Sequence, residues 1–483
     1  MADQSKAPIA DAYDRFPAPG ARPHPFMIPG HKGSTDLVGR VVEGDLSLWG
    51  ALATMRGAAA VLAASEAIAA DLWGADWCRF SVAGSSHGNQ ALALAVGQPG
   101  DEVVVTRAVH RSLLLGFVLA GLSPVWVLPE LDPVSGLPAG LDVAAVRAAL
   151  VAHPEARAVF SVEPGYAGAL SDVAGLAAAA HDRGVPLLVD QAWAAHFGFH
   201  PALPPHALAA GADAMVTSAH KALPAYTQAA LVLASTSRLD RDRLQRGFDA
   251  THTTSPAGTI LASIDAARRL LALDGERLLG RTLALVGEAR RQLAKVEGLA
   301  VLDGPVDRVD PTRLVVGLAG TGASGFEVED DLHASGFSVE MADRDTLVAT
   351  VTMADTEESV RPFVAALVAA VDKRRGRPRA VPTAAWLAGD LPQVALSPRE
   401  AFFARHETVD AACAAGRVAA ELVAPYPPGI PAIVPGEVVT ADVLESLRSA
   451  AASGVRVAYA TDPTLATIQV VARPGAARGS QTG

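Results

Sequence analysis

Short apolar runs alternate with Ala-rich helical patterns between about residues 55 and 235. Five of these runs have the length and β-branched content of buried strands: VVVT (103–106), VWVL (125–128), AVFSV (158–162), PLLVD (186–190) and AMVTS (214–218). Strands that alternate with helices are typical of βαβ units, in which each helix returns the chain to the same edge of a parallel sheet. The pattern therefore predicts an α/β fold with a mainly parallel sheet and flanking helices.

Two segments indicate how the elements between the strands begin and end. In SDVAGLAAAAHDRG (171–184), Ser171 is placed to cap a helix, and Gly184 lies just past its end. The most apolar stretch, LLLGFVLAGLSPVWVL (113–128), is shorter than a membrane span and is interrupted by glycine and proline. We interpret it as a buried helix followed by a strand, and we expect no membrane association.

The change of pattern along the chain divides it into several parts. We expect an N-terminal arm (1–45), a large domain (46–270), a small α+β domain (271–372) and a C-terminal α+β domain (383–483). A basic segment, KRRGRPRAVP (373–382), separates the last two, and its charges are more typical of a solvated linker than of a nucleic-acid patch. Prolines in PYPPGIPAIVPGE (425–437) disfavour regular structure, and the tail RPGAARGSQTG is predicted to be disordered.

Composition and charge exclude several classes of protein. The chain of 483 residues is too long for a single hydrophobic core, which grows to about 250–300 residues. Its formal net charge of −11 argues against a nucleic-acid partner, because phosphate binding needs a basic face. Cys78 and Cys413 are far apart and form no metal-ligand spacing, so we expect no metal site and no disulfide framework. The N-terminus lacks the apolar core of a signal peptide, which favours a cytoplasmic location.

Two residues that follow apolar runs, Asp190 and Lys221, indicate the chemistry. VPLLVDQAW (185–193) ends a strand on a carboxylate, and AMVTSAHK (214–221) ends the next one on Ser-x-His-Lys. Both side chains should meet at one site, because ligands of open parallel sheets bind outside the carboxyl ends of the strands. A lysine can form a Schiff base with pyridoxal 5'-phosphate (PLP), while a carboxylate keeps the ring nitrogen protonated. Taken singly, these residues could be a surface lysine and a capping aspartate; the pair favours the cofactor.

A small-residue turn, AGSSHGNQALALAV (83–96), opens an amphipathic helix earlier in the chain. Backbone N–H groups at a helix N-terminus, beside the hydroxyls of Ser85 and Ser86, form a site that suits a phosphate group. An ordinary serine cap satisfies the same spacing. The position of this turn before Asp190 and Lys221 in the βαβ array favours the phosphate site.

Four more residues are placed to complete such a site. His110 follows the strand VVVT after three residues, and it could either lie flat on the cofactor ring or simply cap or fill a loop. Ser218 and His220 stand beside the lysine and could extend the phosphate site. Trp193 comes three residues after Asp190; an aromatic residue there is usually part of the core, but its indole N–H could reach a ring oxygen.

Read together, these residues resemble the Orn/Lys/Arg decarboxylase family of fold-type I PLP enzymes. The motifs of that family occur in its order along nearly the whole chain: PGHKG (29–33), GSSHGNQ (84–90), VHRS (109–112), VDQAWAAHFGFHP (189–201), TSAHK (217–221), THTTSP (251–256), SPREAFF (397–403) and PYPPGIPAIVPGE (425–437). The resemblance implies an aspartate-aminotransferase-like fold. It also implies a short form without the N-terminal wing domain, so we expect no decamer.

The resemblance implies a role for each residue of the site. Lys221 would be the Schiff-base lysine, Asp190 the partner of the ring nitrogen, and His110 the stacking residue. The other predicted cofactor-binding residues are Ser85, Ser86, His87, Trp193, Ser218, His220 and, from a neighbouring subunit, Thr254 and Ser255. His87 departs from the small residue or threonine of the family, and Trp193 departs from the histidine of many shorter relatives. A shared site implies a homodimer or a higher homo-oligomer.

The activity implied by the resemblance is PLP-dependent decarboxylation of a basic L-amino acid to its amine and CO2. His110 or Lys221 would return the proton to Cα, and the sequence does not choose between them. Glu407 and Glu421 are candidates for binding the cationic side chain, but either could instead be a solvated residue or the partner of Arg417. Arginine, lysine and ornithine are all compatible, as are polyamine biosynthesis and acid response.

Two alternatives to this activity stay open. The first is another enzyme on the same scaffold, either a lyase or an aminotransferase, which normally needs an arginine for the substrate carboxylate. The second is a catalytically silent regulatory homologue, which retention of Lys221, Asp190 and His110 disfavours.

Overall fold

The computed structural model of the chain describes residues 1–15, 26, 28–32, 34–48, 55–132, 138–306, 308–380, 391–426, 429–453 and 455–473. Its central sheet has seven strands: β1 (Trp77–Ser81), β2 (Glu102–Thr106), β3 (Ser123–Val127), β4 (Val159–Val162), β5 (Leu187–Asp190), β6 (Ala214–Ser218) and β7 (Ala230–Ala234). They lie in the order β1-β7-β6-β5-β4-β2-β3. Only β7 runs antiparallel to its neighbours among these strands. The predicted mainly parallel α/β sheet is confirmed; β1 and β7 were not predicted.

Helices cover both faces of this sheet. Successive strand residues alternate between two cores, so that Leu187 and Val189 lie in one and Leu188 in the other. One face packs against the helices Gly84–Val96, Arg111–Ala120 and Arg241–Thr251. The other packs against Met55–Leu72, Val143–Ala152, Val173–His181 and the first half of Gly258–Leu293. The stretch at 113–128 forms a helix and then β3, as predicted, and no described helix is long and apolar enough to cross a membrane.

A glycine lets the helix Gly84–Val96 approach the middle of the sheet. A Cβ atom at Gly88 would stand 2.5 Å from Cγ1 of Val216 and 2.9 Å from Cγ2 of Val232. Both distances are shorter than a van der Waals contact, so any larger residue would push the helix away from β6 and β7. The close approach places the first turn of the helix beside the carboxyl end of β6.

The helix predicted at 171–184 runs over Val173–His181, and Gly184 follows it with φ of 72°. The predicted cap at Ser171 is wrong, because Asp172 is the cap and its side chain accepts from the N–H of Gly175. Ser171 has other partners. Its Oγ accepts from the N–H of Leu141 at 2.6 Å, and its own N–H donates to Glu163 at 2.9 Å.

A 36-residue helix, Gly258–Leu293, connects the large and small domains without a break. Its residues up to Leu279 pack in the large-domain core, whereas Val286, Ala289 and Leu293 pack in the small-domain core. The helix therefore crosses the predicted boundary at residue 270. The small domain adds an antiparallel sheet in the order β10-β11-β9-β8, formed by β8 (Ala300–Val301), β9 (Arg313–Gly317), β10 (Met341–Ala342) and β11 (Thr346–Thr350). The helices Gly325–Ala334 and Glu357–Lys373 cover it.

The basic segment after the small domain is held by ion pairs. Nε of Arg374 lies 2.6 Å from Oδ2 of Asp331, and Nε of Arg379 lies 2.8 Å from Oδ1 of Asp345. Arg374 and Arg379 are therefore not merely solvated, whereas Arg377 is exposed, as expected for a solvated linker. Residues 381–390, which include the end of this segment, lie outside the described part of the chain.

The C-terminal domain contains two short antiparallel pairs of strands. β12 (His406–Asp410) pairs with β15 (Thr467–Val471), and β13 (Ala424–Tyr426) pairs with β14 (Arg456–Ala458). The helices Pro398–Phe403 and Ala441–Ala452 complete the domain. The prolines of 425–437 do not exclude regular structure at its start, because Pro425 lies in β13. The tail predicted to be disordered falls at 474–483, outside the described residues, except for Arg473.

The N-terminal arm is anchored at its beginning. In the helix Pro8–Asp14, Ile9 is fully buried and its N–H donates to Oδ2 of Asp265 at 2.9 Å. Further along, the helix Thr35–Val38 and the 3-10 helix Gly39–Val42 leave Leu37 and Val41 exposed. The arm thus rests partly on its own large domain.

Candidate active site

A cavity lies at the carboxyl end of the central sheet, where five predicted site residues meet. Asp190 ends β5, Lys221 follows β6 and His110 follows β2, while Ser85 lies in the first turn of Gly84–Val96 and Trp193 lies beyond β5. The cavity is lined by these five and by residues that include Thr106, Ala108, Ser161, Tyr166, Ser171 and Ile430. The parallel strands bring the residues together because their carboxyl ends share one edge.

Lys221 is half-buried beside an aromatic ring and a second cation. Its Nζ lies 3.9 Å from the ring centroid of Trp193, and Cζ of Arg313 lies 3.9 Å from the same centroid. Burial lowers the pKa of Lys221, and Arg313 lowers it further, against the opposing effect of Asp190 and Glu340. A lowered pKa increases the fraction of neutral amine, which is the form that attacks a carbonyl group.

Asp190 is buried, and each of its carboxylate oxygens accepts a hydrogen bond. Nδ2 of Asn89 donates to Oδ2 at 2.6 Å, and the backbone N–H of Ala192 donates to Oδ1 at 3.1 Å. The two donors come from different elements and fix the plane of the carboxylate. Asp190 can therefore present a negative charge in one orientation to a group in the cavity.

His110 caps the helix Arg111–Ala120 and is neutral in the folded protein. Its Nδ1 accepts from the backbone N–H of Ser112 at 3.2 Å and lies 2.8 Å from Oγ of the same serine. The partial exclusion of water around the ring lowers the pKa of His110; Lys221 and Arg111 lower it too, while Asp190 raises it. Because Nδ1 is an acceptor, the hydrogen-bond pattern assigns the single ring proton to Nε2.

Two helix starts at the cavity carry hydroxyl groups but no side-chain cap. The helix Gly84–Val96 has Ala83 at its N-cap, so its first N–H groups receive no side-chain acceptor, and Ser85 and Ser86 lie in its first turn. The alternative of an ordinary serine cap does not describe this helix. Ser218 precedes the short helix Ala219–Ala222, and its buried Oγ has no hydrogen-bond partner among the residues that the structure describes.

These features fit PLP. An unpartnered buried hydroxyl and a helix start without a side-chain cap can donate to an acceptor, which a phosphate group supplies. A lysine with a lowered pKa and an oriented carboxylate lie in the same cavity. Lys221 would hold the aldehyde end, Asp190 the ring nitrogen, and Ser85, Ser86 and Ser218 the phosphate.

Comparison with known proteins shows which family shares this arrangement. The model of "Orn/Lys/Arg decarboxylase, major domain" matches residues 21–311, and that of the C-terminal domain of the same family matches residues 382–456. The chain belongs to the Orn/Lys/Arg decarboxylase family. It is 33% identical to arginine decarboxylase of Halalkalibacterium halodurans over 465 residues, which cover 93% of this chain and 94% of the relative. It is 31% identical to arginine decarboxylase of Bacillus subtilis, over 93% of this chain and 95% of the relative.

Solved structures show the fold of this decarboxylase-family chain. Lysine decarboxylase LdcF of Francisella novicida superposes with a TM-score of 0.79 at 18% identity, covering 96% of this chain and 81% of that one. The constitutive lysine decarboxylase of E. coli superposes with a TM-score of 0.78 at 19% identity, covering 97% of this chain and 82% of that one. A structure of SPT with PLP superposes with a TM-score of 0.51 at 16% identity, covering 64% of this chain and 76% of that one. The predicted fold-type I architecture is confirmed.

Two predicted cofactor residues of the decarboxylase-family site, His87 and His220, have protein partners for their ring nitrogens. His87 is buried, with Nδ1 2.9 Å from Oγ of Ser81 and Nε2 2.9 Å from the carbonyl oxygen of Phe248. Nδ1 of His220 lies 2.9 Å from the carbonyl oxygen of Ala229. Neither residue is among those that line the cavity. The structure therefore places His87 outside the cavity, where it supports the turn that opens the helix Gly84–Val96.

The residues predicted to come from a neighbouring subunit lie on the surface. Thr254 and Ser255 are exposed in the loop between the helices Arg241–Thr251 and Gly258–Leu293, and they do not line the cavity of their own chain. Their exposure is compatible with a contact to another subunit, which stays a prediction.

The two carboxylates predicted to bind substrate are used elsewhere in the chain. Glu407 lies on β12 and pairs with Arg417, with 2.5 Å between Oε1 and Nη2. Glu421 is buried, and its oxygens accept from the N–H groups of Thr461 at 2.7 Å and Gln469 at 2.6 Å. Neither lines the cavity, so within one chain the structure does not bring them to the site.

Sequence reasoning missed two residues that the structure places at the site. Asn89 contacts Asp190 directly and is the only asparagine of the chain. It stands four positions after Ser85, which puts both on one face of a helix, and this spacing was the available signal. Arg313 lies beside Trp193 but comes from the small domain, more than 100 residues later. No local pattern distinguishes Arg313 from the other arginines of the chain.

Proposed function

We propose that the chain is a PLP-dependent decarboxylase of a basic L-amino acid, with arginine as the first substrate to test. The observation that carries the proposal is the meeting of Lys221, Asp190, His110 and Ser85 around one cavity. Membership of the Orn/Lys/Arg decarboxylase family supports the reaction class. Four relatives that are 31–33% identical are named arginine decarboxylase, which supports arginine over lysine and ornithine.

When bound, PLP supplies an electron-accepting ring for the electron pair that remains on Cα after CO2 leaves. Lys221 would hold the cofactor through Nζ until the substrate amine takes its place. Asp190 would keep the proton on the ring nitrogen, and the hydrogen bonds from Asn89 and Ala192 would keep its carboxylate in plane. A pre-oriented charge of this kind stabilises the transition state without reorganisation.

The geometry favours Lys221 over His110 as the group that returns a proton to Cα. A neutral imidazole with its proton on Nε2 is a poor acid, whereas an ammonium group with a lowered pKa is a better one. His110 would instead present its flat ring and its Nε2–H to the cavity. We therefore propose Lys221 as the proton donor, a choice that the sequence left open.

The substrate carboxylate would bind Arg313. This arginine is buried, its Nη1 donates to Oγ1 of Thr350 at 2.9 Å, and its Nη2 has no partner among the described residues. A buried N–H donor without an acceptor is costly, and a carboxylate would satisfy it. Held there beside Lys221, the carboxylate would keep one orientation as its bond to Cα breaks.

The cationic side chain would meet Glu340 near the cavity. Glu340 is exposed, and Oε1 accepts from Oη of Tyr166, which lines the cavity, at 3.1 Å. Its charge also acts on Lys221 and Arg313, raising the pKa of both against the effect of burial. Glu340 therefore replaces Glu407 and Glu421 as our candidate for the head group.

An aminotransferase is the second candidate, and Arg313 is the observation that favours it. An aminotransferase normally needs an arginine for the substrate carboxylate. The decarboxylase proposed here would use Arg313 for the same group, so the presence of this arginine does not distinguish the two reactions. The C-terminal domain and the family membership favour the decarboxylase.

The products decide between these reactions. We would incubate purified protein and PLP with arginine, lysine or ornithine, and measure CO2, the amine and the 2-oxo acid. We expect equal amounts of CO2 and amine, formed fastest from arginine. A 2-oxo acid formed without CO2 would establish the aminotransferase, and no turnover by protein that binds PLP would favour a silent homologue.

The proposal extends to the assembly and location of the protein. Exposure of Thr254 and Ser255 supports a homodimer with shared active sites, and the two distant cysteines support the cytoplasm. Formation of an amine is compatible with a role in polyamine biosynthesis and with a role in acid response, and we propose both as alternatives.

A further inference from the structure

Arg107 joins the large domain to the C-terminal domain next to the cavity. It follows β2 directly, and its side chain is buried. Nε donates to the carbonyl oxygen of Pro431 at 3.0 Å, and Nη2 donates to that of Ala432 at 3.2 Å. Nη2 also donates to Oε2 of Glu437 at 2.9 Å, while Nη1 donates to Oε1. All three polar nitrogens of the guanidinium group thus hold one segment of the C-terminal domain.

That segment is folded around the carboxylate of Glu437. Oε2 also accepts from the backbone N–H of Val434 at 3.0 Å, and Glu437 is as deeply buried as Arg107. The segment 430–437 begins with Ile430, which is buried and lines the cavity. On the other side of Arg107, Thr106 and Ala108 line the same cavity. The guanidinium group therefore connects two walls of the active site.

Stability alone does not account for such a pair. Two buried charges lose their hydration, and an apolar pair of similar size often stabilises a protein equally well. The four directional hydrogen bonds do supply geometry, because they fix the position of the 430–437 backbone relative to β2. The side chain that this geometry places at the cavity is Ile430.

We propose that Arg107 and Glu437 are positioning residues that hold Ile430 in the cavity wall, and that Ile430 limits the length of the substrate side chain. The inference rests on the proposed function for its substrate class. An apolar wall contacts the methylene groups of a basic side chain while Glu340 meets the charged end. If Ile430 is held in one position, it can discriminate between substrate side chains that differ in length by one methylene group.

The kinetic test compares each basic amino acid with its homologue one methylene longer, ornithine with lysine and arginine with homoarginine. Ile430→Ala is expected to shift the ratio of kcat/KM toward the longer homologue by about tenfold, the usual effect of one methylene in an apolar pocket. Arg107→Lys, which keeps the charge but loses the fork of donors, should shift the ratio in the same direction. The double variant should shift it no further than Ile430→Ala alone, because both changes act through one side chain.

Arg268→Lys is the matched control. Arg268 is equally buried and likewise donates to two backbone carbonyls, those of Gln4 and Lys6, and to a carboxylate, that of Asp265. It does not line the cavity. Its variant should lose thermal stability as Arg107→Lys does, with the specificity ratio unchanged.

A second readout does not depend on turnover. Ile430→Cys in a Cys413→Ser background places a thiol in the wall, and its rate of reaction with a maleimide reports its exposure. Adding Arg107→Lys or Glu437→Gln should raise that rate about tenfold or more if the bonds hold the wall, since opening exposes a buried group. Adding Arg268→Lys should leave the rate unchanged.

Either of two results would overturn the inference. An unchanged thiol rate in the Arg107→Lys and Glu437→Gln variants would show that the pair does not hold the wall. Additive shifts of the specificity ratio in the double variant would show that Arg107 acts independently of Ile430. If no basic amino acid is decarboxylated but the thiol rate rises, the positioning role stands and the proposed function fails.

Discussion

Nδ2 of Asn89 lies 2.6 Å from Oδ2 of Asp190 and 2.9 Å from Oγ of Ser112. One amide nitrogen therefore donates both of its hydrogens within the active site. Oγ of Ser112 lies 2.8 Å from Nδ1 of His110, which completes a connection from Asp190 to the histidine. The orientation of both predicted cofactor contacts thus depends on Asn89.

Asn89→Ala is expected to lower kcat/KM about 10-fold or more, because removing the partner of a buried charged acceptor costs about 1–3 kcal/mol. Asn89→Asp keeps the shape of the side chain but brings a second carboxylate to Asp190, so we expect a larger loss than with alanine. PLP absorbance and kinetics of both variants provide the measurement. Equal activity of Asn89→Asp and wild type would remove Asn89 from the site.

Asp190→Asn is expected to retain PLP and to lose activity by about 100-fold or more, since a neutral amide cannot stabilise the protonated ring nitrogen. Asp213→Asn is the control: Asp213 is also buried, but it lies just before β6, at the other end of the sheet, and accepts from Leu187 N–H at 2.9 Å. That variant should lose stability but keep the kcat of its folded fraction. Near-normal turnover by Asp190→Asn would contradict the assignment.

Lys221→Ala is expected to lower turnover by several orders of magnitude and to abolish the borohydride-reducible attachment of PLP. The lysines of the chain are Lys6, Lys32, Lys221, Lys295 and Lys373, so peptide mapping of the reduced protein is unambiguous. Lys295→Ala serves as the control and should be labelled like the wild type. A reduced adduct on another lysine would rule out Lys221 as the attachment site.

Glu163 makes the stability of the protein depend on pH. Burial raises the pKa of this carboxyl from 4.5 to about 7, against the hydrogen bonds from Ser171 and Ser161 that lower it. Between these two pH values the unfolded chain releases the proton and the folded chain keeps it, so the free energy of unfolding falls as pH rises. Above about pH 7 the loss stays constant.

Glu163→Gln should remove this dependence. In the wild type, Oγ of Ser161 donates to Oε1 of Glu163 and the N–H of Ser171 donates to Oε2. In the variant, the amide oxygen can accept from Ser171, and the Ser161 hydroxyl can rotate to accept from the amide nitrogen. We expect equal denaturation midpoints at pH 4.5, and at pH 8 a variant more stable than wild type by about 3 kcal/mol. Urea denaturation at both pH values measures the difference, and a variant less stable at pH 8 would show that the carboxylate is the folded form.

Subunit mixing tests the shared site. An inactive Lys221→Ala chain is mixed with an inactive chain altered at both Thr254 and Ser255. If each site takes Lys221 from one subunit and the loop hydroxyls from the other, the heterodimer contains one site without either defect, and partial activity should return. No recovery after proven subunit exchange would mean that each site is built within one chain.

The local sequence pattern was sufficient to predict those features of the structure that depend on residues close together in the chain. β2 to β6 occur where apolar runs of strand length predicted them, because a strand buried on both faces needs such a run. Asp190 and Lys221 meet because both follow parallel strands, whose carboxyl ends necessarily share an edge. His110, which follows β2, and Ser85, which lies at a helix N-terminus, line the same cavity.

Only the tertiary structure decided which partner each polar group takes. Ser171 and Asp172 are both able to cap a helix, and Asp172 does so because Ser171 meets Glu163 and Leu141 instead. Glu407 and Glu421 carry the negative charge that a basic substrate needs. However, Glu407 already pairs with Arg417, and Glu421 already accepts from two backbone N–H groups. From later domains, Ile430 reaches the cavity wall and Arg313 reaches the ring of Trp193. Partner choice depends on contacts between segments far apart in the chain, and hydrophobic periodicity does not record those contacts.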